Sequence, residues 1–121
     1  MATILIVDDD ESLRELLELH LAAAGYEVRS AEDAISAGHL VLQNPPDLII
    51  TDVNMPHMDG FEFVAALTSD PTLPYIPVIF LTSSDDGDLR GKELGAVGYL
   101  TKPVRADQLV AMVEQHLPRR R

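Results

Sequence analysis

The chain has 121 residues, of which 20 are Asp or Glu and 9 are Lys or Arg, a formal net charge of -11. That is one domain's length, its 46% hydrophobic content excludes a disordered chain, and its acidity excludes a nucleic-acid binder that works by neutralising phosphates. It has no cysteine, no apolar run near the ~20 residues that span a bilayer, and no basic start with a long apolar core, which points to a soluble cytoplasmic protein without disulfides.

Residues 4–7, Ile-Leu-Ile-Val, read as a first strand. A helix follows, with Leu13, Leu16, Leu17, Leu21 and Ala24 at helical spacing and Gly25 as its stop. Residues 26–30 form a short, weak strand at an edge. Residues 33–43 form a second helix, ended by Asn44-Pro45-Pro46. Residues 47–51 are the next strand. Asp59 caps a helix over 60–68, with Glu62 three residues on as in a capping box. A rigid connection through Asp70-Pro71 and Pro74 to Pro77 leads to a fourth strand at 78–81. The helix predicted over 86–94 is weak, since Gly87 and Gly91 each cost about 1 kcal/mol against Ala. Residues 97–101 are the fifth strand. A last helix carries Ala106, Leu109, Val110, Val113 and Leu117 on one face, and Pro118 ends it. Strict alternation of strand and helix makes the fold class α/β, with parallel strands, right-handed crossovers and helices on both faces.

Each of four strands is followed by a polar anchor: Asp8-Asp9, Asp52, Thr82 and Lys102. Ligands of an open parallel sheet bind beyond the carboxyl ends of its strands, so these groups meet at one edge. Carboxylates about 4 Å apart repel by roughly 4 kcal/mol at an effective dielectric of about 20. A cation offsets that repulsion, and with oxygen the only donor atom on offer, Mg²⁺ or Mn²⁺ is the expected ion. The same run, Asp8 to Glu11, also suits a helix N-terminus through its dipole. Asp52 is the candidate nucleophile, because carboxylates form acyl-phosphates, and Lys102 and Thr82 can contact the phosphoryl oxygens. His20 falls near the apolar stripe of the first helix, as a partly buried histidine. His39, His57 and His116 read as surface residues, and Phe61, Phe63 and Val64 as packing or partner-facing.

The strings ILIVDDDES, DLIITDVNMPHMDG, PVIFLTS and GYLTKPV resemble those of response-regulator receiver domains, the CheY-like family. The resemblance covers the chain at matching spacing. It implies a single doubly wound sheet of five strands in the order 2-1-3-4-5 with five helices. It places the domain at 1–118 and leaves 119–121, three arginines, as a basic tail or linker start. It makes Asp52 the acceptor of a phosphoryl group from a sensor histidine kinase or a histidine phosphotransfer protein. Asp9 and Asp52 would bind Mg²⁺ directly, Asp8 largely through water, and Asn54 through its backbone carbonyl. Thr82, Ser83 and Lys102 would contact the phosphoryl group, and Lys102-Pro103 would be a cis peptide. Thr82 and Tyr99 would form a switch pair that alters the face made by the fourth helix, fifth strand and fifth helix, where a downstream protein target or an output domain binds. The chain would be no enzyme in the usual sense, catalysing only its own phosphorylation and dephosphorylation.

Three residues depart from the family pattern or separate it from rivals. Ser83 stands where a very small residue is usual, and Arg105 where a capping Ser, Asp or Thr is common. Asn54 stands where aspartyl-phosphate phosphohydrolases place a second Asp as acid/base, and an amide cannot shuttle that proton. The fourth helix lacks the charges of receivers that dimerise through their last two helices, so a monomer or weak dimer is expected. Neither a direct nucleic-acid contact nor a membrane contact is expected of this portion.

Overall fold

Five strands, all parallel, lie in the order β2-β1-β3-β4-β5. The computed structural model describes residues 1–83 and 95–117. The helix predicted over 86–94, with Gly87 and Gly91, lies outside the described residues, as do Pro118 and the three terminal arginines. The strands are β1 (Thr3–Val7), β2 (Glu27–Ala31), β3 (Leu48–Asp52), β4 (Val78–Thr82) and β5 (Gly98–Thr101). The helices described are α1 (Glu11–Ala23), α2 (Ala34–Gln43), α3 (Gly60–Thr68) and a C-terminal α4 (Ala106–His116).

Strand side chains alternate between faces, and each face has its own core. Ile4, Ile6, Leu48, Ile50, Ile79 and Leu81 pack against Leu17 and Leu21 of α1 and Leu109 and Val113 of α4. Leu5, Val7, Ile49, Val78 and Phe80 pack against Ala37 and Val41 of α2 and Phe61, Phe63 and Val64 of α3. Because both faces are covered, β1, β3 and β4 need apolar residues at nearly every position. That is why these strands read as continuous runs.

The helix starts follow from their caps. Asp10 accepts from the Leu13 amide at 3.2 Å and Asp33 from the Ser36 amide at 2.8 Å. Asp59 accepts from the Glu62 amide at 2.8 Å, while Glu62 accepts from the Asp59 amide at 3.2 Å, completing the expected capping box. Arg105 makes no side-chain cap at α4, in line with its residue type. Gly25, at φ 101°, takes the left-handed turn that closes α1.

Two local readings change. The apolar stripe of α1 is Leu13, Leu17, Leu21 and Ala24, so Leu16 is 43% exposed and His20 faces solvent. The spacing Leu13-Leu17-Leu21-Ala24 keeps one line along the helix, and position 16 turns off it. The edge strand begins at Glu27 rather than Tyr26. Tyr26 is spent on the core instead, buried, with its hydroxyl donating to the Leu117 carbonyl at the end of α4. Leu21, fully buried under the sheet, carries the first prediction. Leu21→Ala should cost about 2–5 kcal/mol of unfolding free energy by urea titration.

Candidate functional site

The carboxyl edge of the sheet collects the polar anchors because the ladders run to the strand ends and beyond. Asp52 and Thr82 are the last residues of β3 and β4 rather than the first residues after them. The Asp8 amide donates to the Ala31 carbonyl at 3.2 Å, Val53 to Leu81 at 3.0 Å, and Lys102 to Thr82 at 2.7 Å. Each anchor's backbone is thus held by its neighbouring strand.

Asp8 is fully buried, Asp52 is 4% exposed and Asp9 is exposed. One oxygen from each of the three lies within 4.8 Å of the others. Lys102 Nζ sits 3.0 Å from Asp8 Oδ2 and 3.1 Å from Asp52 Oδ2. The remaining oxygens have backbone donors: Asp8 Oδ1 accepts from the Asp10 amide at 2.9 Å, and Asp52 Oδ1 from the Asn54 amide at 3.2 Å. Among the described residues, Asp8 Oδ2 is buried with the ion pair to Lys102 as its one partner.

One ammonium among three carboxylates leaves the site short of positive charge. Burial, and then the charge of Asp8, push the Asp52 carboxyl up from its usual 3.8, against the pull of Lys102. Burial would lower the Lys102 ammonium, but its contacts with Asp8 and Asp52 outweigh that and hold it above the usual 10.5. An all-oxygen donor set, with Asp8 and Asp52 buried and Asp9 open to water, fits a hard divalent cation that keeps part of its hydration shell. Such an ion supplies positive charge at phosphoryl oxygens.

The other predicted site residues are placed around this cluster. Thr82 is nearly buried at the end of β4, and Ser83 beside it is exposed. Tyr99 is half-buried, its ring stacked on Phe80 with centroids 5.9 Å apart. Phe80 pairs with Tyr99 and Thr82 with Thr101, so Thr82 and Tyr99 share one face of adjacent strands. Lys102-Pro103 is cis. Asn54 is exposed in the loop after β3, and His57 there adopts φ 72°. His39 and His116 are exposed, whereas Phe61, Phe63 and Val64 are core.

Two residues were not singled out from the sequence. Gly60 begins α3 so close to β3 that a Cβ would lie 2.2 Å from the Asp52 carbonyl oxygen. Its amide donates to the Val53 carbonyl at 2.8 Å, which closes the loop back onto the strand end. Arg14 reaches from α1 and donates from Nη1 to the Asp8 carbonyl at 2.6 Å. Its signal in the sequence was a cation in the first turn of a helix, the end that disfavours one.

The fold and this edge define a class: a parallel α/β domain that presents buried carboxylates in an acidic, cation-ready cluster at the carboxyl ends of its strands. Residues 4–114 match the family model for the response regulator receiver domain, and the chain belongs to that family. It is 45% identical over 114 residues to the response regulator PleD of Caulobacter vibrioides, covering 93% of this chain and 25% of PleD. It is 39% identical over 119 residues to the phosphate regulon transcriptional regulatory protein PhoB of Pseudomonas aeruginosa, covering 97% and 52%. The chain therefore spans from a quarter to about half of the length of these curated relatives. Among solved structures, the chemotaxis protein CheY4 of Vibrio cholerae superimposes with a TM-score of 0.89 at 39% identity, covering 97% of this chain and 99% of that one.

The raised Asp52 carboxyl makes ionised Asp52 a burden on the metal-free fold, absent below pH 3.8 and growing as pH rises through the raised value. Asp52→Asn removes it, while Asp8 keeps Lys102 paired at 3.0 Å. Metal-free Asp52→Asn should therefore be more stable than the unsubstituted chain at pH 7. Its advantage should vanish below pH 3.8, as read by urea unfolding across pH.

Proposed function

We propose that the chain is a phosphorylatable receiver of two-component signalling with Asp52 as its phosphoryl acceptor. The observation that carries this reading is the Asp52 carboxylate, fixed at the end of β3 and 3.1 Å from Lys102 Nζ within the acidic cluster. An Asp52 oxygen forms the new P–O bond as the N–P bond of a donor phosphohistidine breaks, and the electron pair leaves with the imidazole nitrogen. Lys102 offsets charge on the phosphoryl oxygens, and Thr82 and Ser83 flank them as hydroxyl donors. Asp9, Asp52 and the Asn54 carbonyl would hold Mg²⁺, with Asp8 beside them, and the ion would supply positive charge for the phosphoryl oxygens. The donor is a sensor histidine kinase or a histidine phosphotransfer protein.

The output is binding. Thr82 moves toward the phosphoryl oxygens and Tyr99 turns inward, which biases the face carried by β5 and α4 toward a partner-binding form. The partner is a downstream protein target or an output domain, with 1–118 as the receiver and 119–121 as a basic tail or linker start. Related proteins whose names describe transcriptional regulators, such as PhoB, are about twice this chain's length, which supports an output domain.

Two measurements test the reading. Incubation with acetyl phosphate or a phosphohistidine donor and Mg²⁺ should add one hydroxylamine-sensitive phosphoryl group, located on Asp52 by mass spectrometry. The label should disappear in Asp52→Asn, and substantial label elsewhere in that variant would refute the assignment. Mg²⁺ should also stabilise the fold, by about 2.7 kcal/mol at a hundredfold excess over Kd. Asp9→Asn should abolish most of that gain in thermal melts.

A further inference from the structure

Arg14 occupies a place that helix electrostatics disfavour. It lies in the first turn of α1, where the unpaired amides already carry positive charge. It is half-buried, and among the described residues its guanidinium has one acceptor, the Asp8 carbonyl, at 2.6 Å. That carbonyl belongs to the residue that follows β1 and leads into the acidic turn.

The turn is tied at several points. The Asp8 amide donates to Ala31 at 3.2 Å, the Asp10 amide to Asp8 Oδ1 at 2.9 Å, and the Arg14 amide to the Asp10 carbonyl at 3.0 Å. Asp10 in turn caps α1 through the Leu13 amide. Asp9, the residue between Asp8 and Asp10, has no such support. Its side chain makes no hydrogen bond or ion pair among the described residues, and it is exposed. The direction in which its carboxylate points is therefore set by the backbone on either side. Asp10 anchors that backbone from the helix side, and Arg14 anchors the Asp8 carbonyl.

We propose that Arg14 is a positioning residue for the cation site, holding the Asp8-Asp9 peptide so that the Asp9 carboxylate faces Asp52. The proposal rests on the reading of Asp9 and Asp52 as Mg²⁺ ligands. A guanidinium near a cation site also repels the cation, so the two roles predict opposite signs when Arg14 is removed. As a positioning residue it strengthens binding, because a loosened turn must be reordered each time the ion binds. As a bare charge it weakens binding. The positioning role is the one the geometry supports, because the guanidinium donates to the Asp8 carbonyl at 2.6 Å, in the peptide that leads into Asp9.

The test is Mg²⁺ titration by calorimetry on the whole chain. Arg14→Met keeps the apolar stem and loses the donor, and should weaken Mg²⁺ binding about tenfold, the lower range for removing a group that orients a metal ligand. Arg14→Lys, which keeps the charge and one ammonium donor, should fall between. In metal-free protein, the Asp9 and Asp10 amide resonances should shift in Arg14→Met, and saturating Mg²⁺ should bring them back toward their native positions. Ile4→Val, a mild core change at the far end of β1, controls for general loss of stability and should leave the Kd within about twofold. A Kd in Arg14→Met equal to or tighter than that of the unsubstituted chain overturns the proposal. So does an equal loss in Ile4→Val. If Asp9→Asn also leaves the Kd unchanged, the cation-site reading itself has failed, which is a different result from the failure of Arg14 alone.

Discussion

Lys102 places one ammonium between two carboxylates that come from different strands, and the carboxyl edge of the sheet is organised around that shortage of positive charge. Asp8 and Asp52 cannot separate to relieve their repulsion, because each is buried at the end of a strand whose ladder continues past it. The protein answers with a lysine from the next-but-one strand, with backbone amides to the remaining oxygens, and with one carboxylate, Asp9, left open to water. The excess negative charge is what makes the edge ready for a hard cation.

The strand order assigns the parts. β1 and β3 lie inside the sheet, flanked on both sides and covered on both faces, so Asp8 and Asp52 are held buried at their ends. β5 is an edge strand with a less buried pattern; it carries Tyr99 and leads into Lys102. The two apolar layers do not share residues across the sheet, so each helix pair rests on its own face.

Much of this was legible in the residues. Continuous runs such as Ile4 to Val7 mark strands covered on both faces, and a capping box such as Asp59 with Glu62 marks a helix start, because both signals are local. The anchors were legible for the same reason, each lying within a residue of the end of a recognisable run. What stayed hidden depends on contacts between distant segments. Tyr26 reads as strand until Leu117, 91 residues away, gives its hydroxyl an acceptor. Leu16 has the spacing of a core residue and falls outside the stripe by its angle around the helix, which spacing alone resolves poorly. Arg14 is an ordinary surface arginine until the Asp8 carbonyl is seen against it.

Gly60 separates two kinds of constraint within one loop. The capping pair beside it is defined by hydrogen bonding, and other short acceptors and carboxamides can fulfil that role. Position 60 is defined by volume alone: the Asp52 carbonyl occupies the space in which the first side-chain carbon would stand. Chemical similarity therefore offers no safe exchange there, since alanine, the smallest substitution, already meets backbone rather than a side chain that could move aside. In a library of variants, position 59 should accept a restricted alphabet and position 60 a single letter. Selection for a functional acceptor would then register at a residue that carries no functional group.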